Sequence, residues 1–110
     1  MANTYDTQPV YIETDMGSTG FREESGALKN QQGLFVNNII VTVPTGNTVA
    51  AGTIAITDPT GTSPNTLLQI PITTTTVFPI IIPFTVGMQW KDFAVNGQAT
   101  TKTALQIWYR

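Results

Sequence analysis

The chain has 110 residues, the size of one ordinary domain, and its five basic and seven acidic residues give a net charge of −2. It contains no cysteine and no histidine, which excludes a disulfide scaffold, a Cys/His zinc site and catalysis by an imidazole or a thiolate. Only 11% of the residues are charged, against about 25% in an average soluble domain. This balance argues against a nucleic-acid-binding surface and against a polybasic membrane anchor.

Threonine, and not a charged residue, is the most frequent polar residue. It accounts for 20 of the 110 residues, and its β-branched, polar side chain suits a strand with one face in water. The longest apolar stretch, 77–84, contains two prolines and is far shorter than the ~20 residues of a membrane-spanning helix. The first residues show no secretory signal. The composition predicts an all-β protein that neither crosses nor binds a membrane.

Charge is distributed unevenly along the chain. Seven of the charged residues lie within the first 29, and only Asp58 is charged between 30 and 90. We therefore divide the chain into an extended N-terminal arm, 1–32, and a β-sandwich body, 33–110.

The arm is predicted to be a docking element rather than part of the core. After a short predicted strand it runs through 14–33 with four glycines and no sustained periodicity, and such loops are usually functional. A chain that starts near Gln32 is then expected to keep most of its β content. The charged residues of the arm are the candidate contacts with a neighbouring subunit or partner: Arg22, Glu23, Glu24 and Lys29.

Turn signals divide the body into about seven to eight short strands. The segment 34–43 is apolar on both parities, as expected for a central strand. The strongest alternation, in 76–86, places an apolar row inward. Pro79 and Pro83 share the opposite parity and remove N–H donors from one side, which predicts an edge strand or a bulged one. The inward row consists of Phe78, Ile80, Ile82, Phe84 and Val86.

Asn96 and Gly97 give the strongest hairpin signal in the chain, because a type I′ turn needs positive φ at both central residues. They predict a hairpin between 88–95 and 98–109, with its register left open. Short strands with turns every 8–12 residues predict an antiparallel β-sandwich, of jelly-roll or immunoglobulin-like topology.

No residue pattern supports an enzyme. Glu13 and Asp15 are spaced as a carboxylate pair or calcium ligands would be on one face of a strand, but no calcium-loop motif follows. We interpret them as solvated residues that pair with Arg22 or with another subunit. The three serines have neither a nucleophile-elbow motif nor a histidine base. We predict no catalytic residue, no metal and no cofactor.

Trp108 is the candidate binding aromatic. Its parity is opposite to that of Leu105, Ile107 and Tyr109, so it faces outward if those residues face the core. An outward tryptophan marks a protein contact or a sugar platform. The body also has more apolar faces than one small sandwich needs, since Val77 and Ile81 oppose the inward row. Association into a homo-oligomer would bury this surplus.

In these features the chain resembles the small decoration, or cement, proteins of bacteriophage heads. The features are the arm at 14–33, the apolar runs 34–43 and 73–86, and the aromatic ending 104–110. The resemblance implies a non-enzymatic virion protein, made in the host cytoplasm without a signal peptide. It would bind the major capsid protein lattice on the outside of the head as a homo-oligomer, with a trimer expected. The alternative is a carbohydrate- or receptor-binding β-sandwich module.

Overall fold

The computed structural model describes residues 3–5, 8–24, 34–59, 65–90 and 92–109. Within these ranges the chain forms seven strands and two short helices. In chain order they are β1 (Val10–Ile12), α1 (Phe21–Glu24), β2 (Leu34–Thr42), β3 (Gly52–Asp58), β4 (Asn65–Ile72), β5 (Ile80–Trp90), β6 (Ala94–Asn96), α2 (Gln98–Thr101) and β7 (Ala104–Tyr109).

The strands form two antiparallel sheets. The four-stranded sheet has the order β1-β7-β2-β5, and the three-stranded sheet has the order β4-β3-β6. The radius of gyration, 13.2 Å, is close to the ~13 Å expected for a compact chain of this length. The predicted all-β sandwich is confirmed. No helix among the described residues is long and apolar enough to cross a membrane.

β2 is central in its sheet, as predicted, but its apolar pattern has a different cause. Its register with both neighbours shifts between Val36 and Asn38. A bulge of one residue reverses the parity that faces the core. Val36 before the bulge and Ile39 after it are therefore both fully buried, while Phe35 and Ile40 lie on the opposite face, where Phe35 is exposed and Ile40 half-buried.

β5 lies at the end of the four-stranded sheet, so the edge position predicted from the prolines is confirmed. The predicted inward residues Phe78, Ile80, Ile82 and Phe84 pack against the core and are half-buried. Val77, Pro79, Ile81 and Pro83, of the other parity, are exposed. The side chain of Val86 lies outside the described part of the structure.

The predicted C-terminal hairpin is wrong. β6 pairs with β3, β7 pairs with β1 and β2, and α2 separates β6 from β7. Gly97 does adopt the positive φ, 103°, that its motif predicts, but as the residue before α2. A Cβ atom at Gly97 would collide with the carbonyl oxygen of Thr53. The glycine therefore allows close approach to β3, and the chain crosses to the other sheet.

The prediction that the arm lies outside the core is also wrong for its described residues. β1 pairs with β7, and Val10, Ile12, Met16 and Phe21 belong to the buried core. The Phe21 ring stacks on that of Phe93 with 4.8 Å between centroids. Burial of these apolar side chains offsets the entropy cost of ordering the segment without any partner. A chain starting at Gln32 would lose a strand and these side chains, so the expected retention of β content no longer follows.

Backbone hydrogen bonds from the N-terminal segment, residues 3–5 and 8–24, cover one edge of each sheet. Beside β6, the N–H of Met16 donates to the carbonyl of Val95 at 3.0 Å, and that of Phe21 donates to Phe93 at 2.8 Å. Beside β1, the backbones of Thr4 and Tyr11 exchange two hydrogen bonds of 2.8 and 2.9 Å. The N-terminal segment thus closes this side of the sandwich.

Candidate interaction surface

The outer face of the four-stranded sheet brings together residues from all four strands. Alternation along each strand places Tyr11, Gln106, Ile40 and Ile81 in one row across the sheet, because each is the register partner of the next. A second row joins Trp108, Asn38 and Pro83 in the same way. Aromatic, aliphatic and amide side chains therefore share one face.

This outer face is apolar and uncharged toward its β5 edge. Val77 is 84% exposed, Ile81 60% and Phe35 41%, and neither β2 nor β5 contains a charged residue. Water covers these side chains in the isolated chain, at a free-energy cost proportional to their apolar area. Exposed apolar side chains on one uncharged sheet face are typical of a contact site.

Trp108 lies on this outer face, as its parity predicts. Leu105 and Ile107 are fully buried, whereas Trp108 is half-buried. Its register partner is Asn38, whose Oδ1 atom is buried with no hydrogen-bond partner among the described residues. The face thus places an indole ring beside an amide whose oxygen is buried. That Trp108 binds a partner stays a prediction.

The charged candidates of the arm lie elsewhere. Arg22 and Glu23 belong to α1, and Glu24 ends this helix with an exposed side chain, while Lys29 is outside the described residues. The Phe21 ring fixes the start of α1 by stacking on Phe93, and it contacts Tyr109 edge-on at 5.7 Å between centroids. The helix is therefore held rigidly against the body. Among the described contacts, none joins Glu24 to Trp108.

Glu13 and Asp15 do not form the carboxylate pair that their spacing allowed. β1 ends at Ile12, so the two residues do not share a strand face. Asp15 Oδ1 instead accepts hydrogen bonds from the backbone N–H groups of Gly97 at 3.0 Å and Ala99 at 3.2 Å. The first N–H groups of a helix have no acceptor within the helix, and the Asp15 carboxylate supplies one at the start of α2. The described residues contain no group of three or more potential metal ligands.

Tyr11, on β1 in the N-terminal segment, lies at the end of the outer face farthest from β5. Burial raises its pKa above the usual 10.0, and the nearby Glu13 carboxylate raises it further. Both effects favour the neutral phenol. Tyr11 therefore presents a hydrogen-bonding hydroxyl, and no charge, at neutral pH.

Several members of the outer face were not identified from the sequence as contact residues, among them Phe35, Asn38 and Gln106. The parity of Gln106 was readable, because it alternates with the buried Leu105 and Ile107. Phe35 and Asn38 flank the bulge in β2, and a bulge has no signal in the apolar pattern of a single strand. Their outward position can be established only from the register of β2 with its neighbouring strands.

Comparison of the chain with protein-family models, with curated proteins and with solved structures found no match.

Proposed function

We propose that this protein is a non-enzymatic structural protein of a bacteriophage virion, which decorates the outside of the head as a homo-oligomer. The observation that carries the proposal is the uncharged apolar outer face of the four-stranded sheet, with Ile81 and Phe35 exposed on it. Mixed surface charge normally keeps a small soluble domain monomeric. A face without charge favours contact with protein.

Two of the described acidic side chains support a structural role more than a chemical one. Asp15 is engaged by two backbone amides, and Asp92 is buried with Oδ1 bound to the N–H of Phe93 at 2.8 Å. General acid–base catalysis requires a carboxylate within reach of a substrate proton. These two carboxylates stabilise the backbone of their own chain instead.

α1 supplies a rigid, charged projection for the contact with the major capsid protein lattice. Its first residue, Phe21, is fixed in the aromatic core, and its last, Glu24, is exposed. Fixing a charged group before binding reduces the ordering cost of the contact. We assign Arg22, Glu23, Glu24 and Lys29 to this contact, where charge complementarity contributes specificity.

Co-sedimentation with heads of the phage that encodes the chain tests the proposal. The labelled protein is expected to pellet with the heads, to saturate at a fixed number of copies per capsid subunit, and to give density on the outer surface by electron cryomicroscopy. The charge reversal Glu24→Lys is expected to weaken binding, whereas Gln69→Lys, an exposed position on β4, serves as the matched control. Absence of saturable binding would contradict the proposal, as would density inside the head or on the tail.

A second candidate function, carbohydrate binding, is favoured by one arrangement. Trp108 and Tyr11 share the outer face with the amides of Asn38 and Gln106, and an aromatic platform beside amide groups suits a sugar ring. This function predicts saturable binding to a defined glycan on an array, lost in Trp108→Ala with the fold intact. The decoration function predicts no glycan affinity.

A further inference from the structure

Four exposed residues lie in β5 or just before it, at the open edge of the four-stranded sheet. Ile81 and Pro83 are exposed within β5, and Val77 and Pro79 are exposed just before its first residue, Ile80. Val77 and Ile81 are 84% and 60% exposed. We name these four residues the outer strip. Phe35 on the adjacent β2, 41% exposed, lies toward the other end of β5, because its register partner is Gln89.

The charge pattern selects among the possible occupants. No charged residue occurs between Asp58 and Lys91, so the outer strip offers no cation to a phosphate group and no anion to a basic segment. An uncharged surface meets its own copy without a like-charge penalty. The outer strip meets this condition.

The prolines determine how a second surface can approach. An edge strand normally associates by adding a strand to its free N–H and C=O groups. Pro79 and Pro83 have no N–H to donate, so strand addition is disfavoured along this edge. The exposed side chains of the outer strip remain available for packing, and contact through side chains is favoured over extension of the sheet.

The available area fits a modest interface. The outer face has four strands spaced about 4.8 Å apart. The strands are on average about 7 residues long, with a rise of about 3.3 Å per residue, so the projected area of the face is on the order of 450 Å². Two such faces bury on the order of 900 Å², near the lower limit of specific interfaces, where association is weak to moderate. We therefore expect a dissociation constant on the order of micromolar from this surface.

We propose that a second copy of this chain covers the outer strip, so that Ile81 lies at the symmetry axis of a homo-oligomer. The inference rests on the proposed function, because it specifies which surface joins the copies that the proposed function requires. At a two-fold or three-fold axis, the outer strip of one copy packs against the outer strips of the other copies. Closed symmetry limits the assembly to a defined number of copies.

Sedimentation equilibrium of the full chain tests this inference without any capsid. The wild type is expected to sediment above the 11.9 kDa of one chain, as a dimer or a trimer in the micromolar range. Ile81→Lys and Val77→Lys bring like charges together at the axis and are expected to weaken association about 100-fold. Gln69→Lys, exposed on β4 at the edge of the other sheet, is the matched control and should associate as the wild type does.

Two results would overturn the inference: a wild type that stays monomeric at 100-fold above micromolar concentration, or lysine variants that associate as strongly as Gln69→Lys. Melting temperatures equal to that of the wild type, measured at concentrations where every chain is monomeric, show that a lost oligomer is not a lost fold. Head binding is measured separately. A wild type that assembles and saturates heads, with lysine variants that assemble equally well, contradicts this inference alone, while an oligomer that does not bind heads contradicts the proposed function alone.

Discussion

β1 and β6 form one edge of each sheet, and the N-terminal segment covers both with backbone hydrogen bonds. β5 and β4 form the other two edges, and neither has a further strand beside it in the part of the chain that the structure describes. The covered edges adjoin the N-terminal segment, which holds five of the twelve charged residues. The open edges belong to the stretch between Asp58 and Lys91, which has none.

The difference shows two ways of handling unpaired backbone at a sheet edge. At β6 the chain satisfies the edge with its own backbone, through Met16 and Phe21, and buries their side chains in the core. At β5 it places Pro83 in the strand and Pro79 just before it, which discourages strand addition. The first device stabilises the monomer. The second leaves apolar side chains exposed in a form that favours packing by another copy.

The covered side is expected to give the largest effect on stability. Phe21→Ala removes a fully buried ring that stacks on Phe93, and such truncations cost about 3–5 kcal/mol. Urea unfolding, monitored by circular dichroism, measures this loss. Glu24→Ala, three residues later and exposed, is the control and should change stability by less than about 0.5 kcal/mol. A cost for Phe21→Ala as small as that of the control would mean that the N-terminal segment is not part of the core.

Two adjacent isoleucines in β5 test which face of the open edge is buried. Ile82 packs against the core opposite Ile39, and because it is half-buried, Ile82→Ala should cost about 2 kcal/mol, the lower end for such truncations. Ile81→Ala should cost less than about 0.5 kcal/mol. Denaturation is measured at concentrations where the chain is monomeric. The opposite ranking would show that the face assignment of β5 is inverted.

Asp15 tests whether the N-terminal segment also stabilises the covered side through hydrogen bonds. Asp15→Ala leaves the N–H groups of Gly97 and Ala99 without this acceptor and should cost about 1 kcal/mol, as loss of a helix cap does. Asp15→Asn retains one oxygen acceptor and should cost less. Equal urea midpoints for the wild type and Asp15→Ala would show that these two bonds contribute nothing to stability.

The smallest expected effect concerns Tyr11, where the N-terminal segment meets the outer face. Its folded pKa lies above 10.0 because of burial and the Glu13 carboxylate, so the folded chain holds this proton more tightly than the unfolded chain does. The contribution of this proton to the free energy of unfolding is fully present below pH 10 and is lost as the pH rises through the folded pKa. Titration of tyrosinate absorbance should show a component above pH 10 that disappears in Tyr11→Phe. If Tyr11→Phe removes only a component at or below pH 10, the proposed environment is wrong.

The residue pattern within a single strand was sufficient to predict the features that depend on that strand alone. The alternation around Ile80 and Ile82 gave the correct inward face, the two prolines gave the edge position, and the parity of Trp108 gave its outward placement. Each of these features depends on period 2 or on a missing N–H, and both can be read from a single strand.

The features that the sequence did not reveal depend on distant parts of the chain. Met16 and Phe21 are isolated core residues in a loop, so no periodicity marks them, and their partners Val95 and Phe93 lie more than 70 positions away. Gly97 fits either a hairpin or the start of a helix, and the carbonyl of Thr53 decides between them. The bulge after Val36 exists only relative to the neighbouring strands.

The central claim is that the open edge at β5 is where copies of this chain meet, and disulfide trapping tests it most directly. The chain has no cysteine, so Ile81→Cys introduces a single thiol on the outer strip, and Gln69→Cys introduces one at an exposed position on β4. Under mild oxidation at micromolar concentration, the account predicts a covalent dimer of the Ile81→Cys chain that forms much faster than that of Gln69→Cys. Equal rates for the two variants, or faster trapping at position 69, would contradict it.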